Sequence, residues 1–285
     1  MASFKIGCQT YSWEMLGTDW QGTPEQILDA VAAAGYAGVE FGNNMIGRFL
    51  DQPAAFAQEL SRRGLACAAF AYATLGFSDA AQRESDLAGA DQALRFTAYF
   101  GIPLCLGGPS SPTHAGAAAK VAQAVSFYQE VARRAAKLGV RVAIHPHSHH
   151  TSLVTTAEEY AGLLDAVGPL GIGFNPDTGH MLRGGQDLLT TLKRYRSLIW
   201  HVHIKDVDAS GAWAPLGTGI TPLKDLLAWP APVCTLHAGE VLMMPRRRRM
   251  RARLPAAPTF ARHSAVRISP VPAPRSAASL AGLSR

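Results

Sequence analysis

His201-Val202-His203-Ile204-Lys205-Asp206, entered from Trp200, alternates apolar and polar side chains with a period of two. In an extended chain Trp200, Val202 and Ile204 share one face, while His201, His203 and Lys205 share the other. Two imidazoles and an ammonium on one side of a strand suit a metal ion or an anionic substrate. A second stretch, Asn175-Pro176-Asp177-Thr178-Gly179-His180, follows the same rule. There Ile172 and Phe174 lie opposite Gly173, Asn175 and Asp177, and His180 comes one turn later. Asp and His are ligands for Mn²⁺, Co²⁺, Zn²⁺ or Mg²⁺.

Strand-like runs of this kind recur along the body of the chain, at 4–9, 37–42, 65–71, 103–107, 141–145, 171–175 and 199–204. Between them lie amphipathic stretches at 23–34, 53–63, 80–100, 115–138, 156–167, 188–195 and 223–228. Thr23-Pro24-Glu25 reads as a helix N-cap followed by proline at the first helical position, and Gly35 closes that helix. An unbroken β/α alternation implies a parallel sheet with right-handed crossovers, and the count predicts an α/β fold of the (β/α)₈ TIM-barrel type. In the second strand Val39 and Phe41 oppose Gly38, Glu40 and Gly42; in the fifth Val142 and Ile144 oppose Ala143, His145 and His147. The apolar sets are expected to face helices, which leaves Gln9, Glu40, His145, Asp177 and His203 near the carboxyl ends of inward-facing strands, where barrel enzymes carry their chemistry. An open Rossmann-type sheet is the rival, but no GxGxxG opens a helix after the first strand.

The 285 residues, 48% hydrophobic, suffice for one large core. No apolar run reaches membrane-spanning length, and the N-terminus lacks the pattern of a secretory signal, so a cytoplasmic address is expected. The four cysteines show no CxxC spacing and read as reduced core thiols. The formal charge of +6 is the sum of two dissimilar pieces. Residues 1–245 hold 17 Lys and Arg against 21 Asp and Glu, a net of −4, whereas 246–285 hold 10 Arg and no acid. The body, 1–245, is read as the barrel domain; the Arg-, Pro- and Ala-rich 246–285 is read as a disordered tail. Its arginines would bind polyanions without selectivity, and the acidic body speaks against a nucleic-acid enzyme.

KIGCQTYSW at the start, GYAGVEF at the second strand, HPH at the fifth, NPDTGH at the sixth, HVHIKDV at the seventh and the later Leu216-Gly217-Thr218-Gly219 together resemble the xylose-isomerase-like barrels. That is the sugar-phosphate isomerase/epimerase superfamily, which includes inosose dehydratases. The resemblance covers roughly residues 4–230. It implies one divalent metal, Mn²⁺ or Co²⁺ before Mg²⁺ or Zn²⁺, held by side chains of strands five to eight, commonly Glu, Asp, His and Glu. Asp177 and His203 match two of those ligands. The fifth-strand position, where many members have Glu, carries His145, with His147 facing the same way two residues on; which of the two is the ligand stays open, with His145 placed in the metal set. His180 matches a substrate-contacting histidine.

The implied chemistry is proton transfer next to a carbonyl of a keto-sugar or cyclitol, through an enediolate that is reprotonated by an isomerase or epimerase and expels a hydroxyl in a dehydratase. Lys205, His147 and His180 are the expected catalytic groups; Gln9, Trp13, Glu40 and His180 are the expected substrate contacts. Blander readings stand beside these. Glu40 would pair an interior cation such as Lys205, Trp13 would merely pack, and His201 would sit structurally one layer below His203. At the eighth strand the chain departs from the family, running Cys234-Thr235-Leu236-His237-Ala238-Gly239-Glu240 into the arginine tail, with Glu240 the one acid left to act as fourth ligand. A reading-frame change between about 228 and 245 would produce this composition. The expected barrel is therefore altered or lacking in its last β/α unit, open between its first and seventh strands, and prone to homo-oligomerise there. A catalytically impaired barrel serving as a binding protein is the alternative of another class.

Overall fold

A computed structural model of the chain describes residues 6–74, 77–228 and 234–237. Eight parallel strands form one sheet: β1 (Ile6–Gln9), β2 (Gly38–Gly42), β3 (Ala66–Tyr72), β4 (Leu104–Gly107), β5 (Val142–His145), β6 (Gly173–Phe174), β7 (Val202–Ile204) and β8 (Cys234–His237). The helices α1 (Pro24–Ala33), α2 (Pro53–Arg62), α3 (Arg83–Phe100), α4 (Ala117–Lys137), α5 (Ala157–Val167), α6 (Leu188–Arg194) and α7 (Leu223–Ala228) fill the crossovers. The sheet runs from β6 through β5, β4, β3, β2, β1 and β8 to β7, and parallel bridges Phe174↔Ile199 and Asp177↔His203 join its two ends into a ring. The expected TIM barrel is found.

The gap expected between β1 and β7 is not. Strand β8 pairs parallel with both, Gly7↔Thr235 on one side and Thr235↔His203 on the other. Main-chain pairing asks only for an extended segment in register, and four residues ending at His237 supply one despite the altered composition that follows. With β8 in place the open-edge argument for oligomerisation lapses. Glu240, the 246–285 tail and the proposed frame change lie outside the described residues.

Thr23 caps α1 as its sequence predicted: its hydroxyl accepts from the Gln26 amide, and the Gln26 side chain accepts from the Thr23 amide. Between sheet and helices the outward strand residues meet an aromatic seam in which Phe41 stands edge-on to Phe56 of α2 at 5.3 Å and Phe70 meets Phe96 of α3 at 4.9 Å. Cys8 and Cys105 are buried free thiols and Cys67 is half-buried, with no disulfide among the described residues. No described helix is long and apolar enough to cross a membrane.

Candidate active site

At the carboxyl ends of the strands a cavity of about 180 Å³ opens. Gln9, His145, His147, His180 and Lys205 line it. Beneath it His145, Asp177 and His203, all buried, each place one donor atom within 4.8 Å of the others.

The tautomers of that trio follow from their partners. His145 Nδ1 lies 3.1 Å from the Asn175 carbonyl, which only accepts, so Nδ1 carries the proton and Nε2 the lone pair. Burial, then the neighbouring His203, pushes the His145 pKa well down and keeps this ring neutral. His203 Nε2 donates to Glu40 Oε2 at 2.8 Å, which turns Nδ1 toward His145 Nε2, 3.3 Å away. Two imidazole nitrogens on one tetrahedral cation, about 2.0–2.1 Å from it, are roughly 3.3 Å apart. Asp177 Oδ1 caps the short helix Thr178–Arg183 by accepting from the His180 amide, while Oδ2 stands 4.0 Å from His145 Nε2. Two imidazole nitrogens and one carboxylate thus fit a divalent cation.

Two other clusters fit one less well. In His145, His147 and His180 the third ring accepts at Nδ1 from the Ser148 amide at 3.0 Å, so its proton sits on Nε2 and that atom offers no lone pair. In Glu40, Cys105 and His201 the carboxylate already accepts from two rings, and burial pushes the Cys105 thiol well above its usual range, where it stays protonated.

His180 is therefore a hydrogen-bond donor aimed at the cavity, kept neutral by burial and then by the nearby Lys205 ammonium. Lys205 Nζ lies 3.4 Å from His180 Nε2, 3.5 Å from Asp177 Oδ2 and 4.8 Å from the Trp213 ring centre. The Thr178 hydroxyl donates to the Lys205 carbonyl at 2.6 Å and fixes its backbone. Gly179 must be small here, since a Cβ would come within 2.6 Å of Trp213 and 2.8 Å of Lys205 Cβ. Asp206 accepts from the amides of Val207, Gly217, Gly219 and Thr221, which folds the Leu216–Gly219 stretch against β7.

Of the residues expected from sequence, the structure brings Gln9, His145, His147, Asp177, His180, His203 and Lys205 to one place. Glu40 and Trp13 are corrected. Glu40 is fully buried below the cavity, spent on His201 and His203 rather than on substrate or Lys205, because those rings are the nearest N–H donors. Trp13 points into the core and packs 6.4 Å from Trp20, so it does not line the cavity. His201 sits below His203 as the structural reading had it. Sequence reasoning missed Ser148 and Trp213; neither belongs to a motif, and both act through neighbours distant in sequence.

Residues 28–229 match the protein family described as the xylose isomerase-like TIM barrel. An inosose dehydratase of Geobacillus kaustophilus is 28% identical over 221 residues, 72% of this chain and 70% of that protein. Among solved structures, the IolI protein with a bound zinc atom superposes with a TM-score of 0.66 at 16% identity, covering 82% of this chain and 88% of its own. D-psicose 3-epimerase of Clostridium cellulolyticum H10 with D-tagatose gives a TM-score of 0.65 at 16% identity, covering 82% and 85%.

Proposed function

The chain belongs to the xylose isomerase-like TIM-barrel family, and from that premise we propose that it is a divalent-metal-dependent enzyme that moves a proton next to the carbonyl of a small keto-sugar or keto-cyclitol. The observation that carries this reading is the convergence of His145 Nε2, His203 Nδ1 and Asp177 beside the His180 N–H and the Lys205 ammonium, at the floor of one small cavity. His145, Asp177 and His203 would hold the cation; a set of two imidazoles and one carboxylate favours Zn²⁺ or Co²⁺ over Mg²⁺ and leaves positions open. When bound, the cation supplies Lewis-acid polarisation of a carbonyl and its neighbouring hydroxyl.

The protein's own groups do the rest. His180 donates Nε2–H to a substrate oxygen and, with its proton fixed there by Ser148, orients rather than deprotonates. Lys205 and His147 are the groups placed to give and take the proton, His147 as the base because burial holds its ring neutral. Gln9, locked by accepting from the Tyr11 amide, presents its remaining amide to the ligand. Likeness to an inosose dehydratase over most of the chain favours elimination of a hydroxyl after the proton leaves; likeness in fold to a sugar epimerase supports reprotonation as the second reading.

The test is metal analysis of the purified protein followed by incubation with inososes and ketoses in D₂O. Deuterium entering next to the carbonyl with water retained marks isomerase or epimerase chemistry, and its entry with loss of water marks a dehydratase. A metal-loaded protein that exchanges no carbon-bound hydrogen in any of these substrates would sink the proposal and leave a binding protein in its place.

A further inference from the structure

Glu40 is a buried carboxylate that neither lines the cavity nor meets Lys205, and burying such a charge needs a compensating role. One oxygen, Oε2, accepts from His201 Nε2 at 2.6 Å and from His203 Nε2 at 2.8 Å. A carboxylate has nothing to donate, so both rings must present N–H to it. An amide oxygen in the same place could accept from both rings, though without the charge that strengthens the two bonds. The competing contact, Asn175 Nδ2 to His203 Nε2, is longer at 3.4 Å and lacks charge assistance.

We infer that Glu40 is a positioning residue: by accepting a hydrogen bond from His203 Nε2–H it turns the Nδ1 lone pair toward His145 and Asp177 and so makes the metal site. This rests on the metal reading above. A backbone carbonyl, that of Asn175, does the same for His145 from the opposite side, so the two rings are set by two separate acceptors. Such hydrogen-bonded acceptors orient ligand histidines in metal sites generally, and losing one weakens metal affinity about 10- to 100-fold.

Two measurements on the full chain test it. In Zn²⁺-loaded protein labelled with ¹⁵N-histidine, long-range ¹H–¹⁵N correlation should find His203 protonated at Nε2 and coordinated at Nδ1, and His145 the reverse. Coordination of His203 through Nε2 overturns the inference, whatever any variant does. Glu40→Leu, which removes the acceptor, should then lose about 10- to 100-fold in Co²⁺ affinity while its circular dichroism holds, and Glu40→Gln, whose amide oxygen can still accept, should recover part of the loss. Equal Co²⁺ affinity in wild type and Glu40→Leu removes the role of Glu40 but leaves the metal site standing. Wild type that takes up neither ion overturns both.

Discussion

Strands β5 to β7 and the loops after them bring His145, His147, His180 and Lys205 to the cavity, whereas β2 to β4 and their ends face it with Gly42, Ala71, Ala73, Cys105 and Gly107 and with Asn43, Asn44 and Thr74. One wall is dense with hydrogen-bonded donors; the other sets small side chains beside those last three, which are polar and neutral. The difference separates what the site does from what it admits. Groups on the first wall are fixed by partners beneath them, while on the second the small side chains leave the space a ligand fills.

If the walls are separable in this way, substitutions should sort by wall. The largest effect belongs to the donors: His203→Ala and Asp177→Asn should each cost at least ~100-fold in Co²⁺ affinity, since each removes a direct ligand from a set of three. Asn at 177 still accepts from the His180 amide, so helix Thr178–Arg183 should persist in circular dichroism, isolating the loss to the metal.

Next comes the carboxylate under the β7 loop. Asp206→Asn should lower the melting temperature by a few degrees, as charge-assisted bonds to four amides weaken by about 2 kcal/mol in all. Burial works to raise the Asp206 carboxyl, but the amides of Thr221, Gly219 and Gly217 outweigh it and hold the pKa below its ordinary value. A depressed carboxyl stabilises the fold above its unfolded pKa and loses that stabilisation as pH falls through the folded value. The gap between wild type and Asp206→Asn should therefore be constant near neutrality and close below about pH 4, as thermal melts across pH would show.

On the opposite wall, Ala73→Leu should weaken binding of a small keto-sugar by ~10-fold while Co²⁺ affinity stays within about twofold, because added methylenes take ligand space and touch no donor. Calorimetry with metal and sugar in turn separates the two. The smallest effect is expected of Ser148→Ala, which removes the hydroxyl from His180 Nδ1 but leaves the amide bond that fixes the tautomer. Turnover should fall by only about fivefold, the worth of one ordinary hydrogen bond; a fall of orders of magnitude would show that the hydroxyl, and not the amide, sets that ring.

The sequence-legible part of this molecule is the part that repeats with a short period. Val39 and Phe41 against Glu40, and Val202 and Ile204 against His201 and His203, announce strands and their inward faces with no help from tertiary structure. The same alternation placed His145, Asp177 and His203 on one side, and the barrel did the rest. Glu40 was read on the right face with the wrong partner, because the rings it binds lie 161 and 163 residues away and periodicity carries no information at that range. Trp13 misled for the opposite reason: a turn of helix at Tyr11–Glu14 rotates it into the core and leaves Tyr11 at the cavity. At β8, composition argued against a strand that only backbone pairing with β1 and β7 reveals.

That last stave has a consequence for how the protein is made. Ring closure joins β1, among the first residues to leave the ribosome, to β8, which emerges about 230 residues later, or roughly 10–50 s at common rates of synthesis. Until then β1 and β7 stand as neighbours-in-waiting with unpaired main chain, while Glu40 waits for rings that follow it by 161 and 163 residues. Nascent chains stalled before residue 234 should thus be the ones that chaperones hold and proteases find, while release of a few more residues lets the whole circle, donors included, form in one cooperative event.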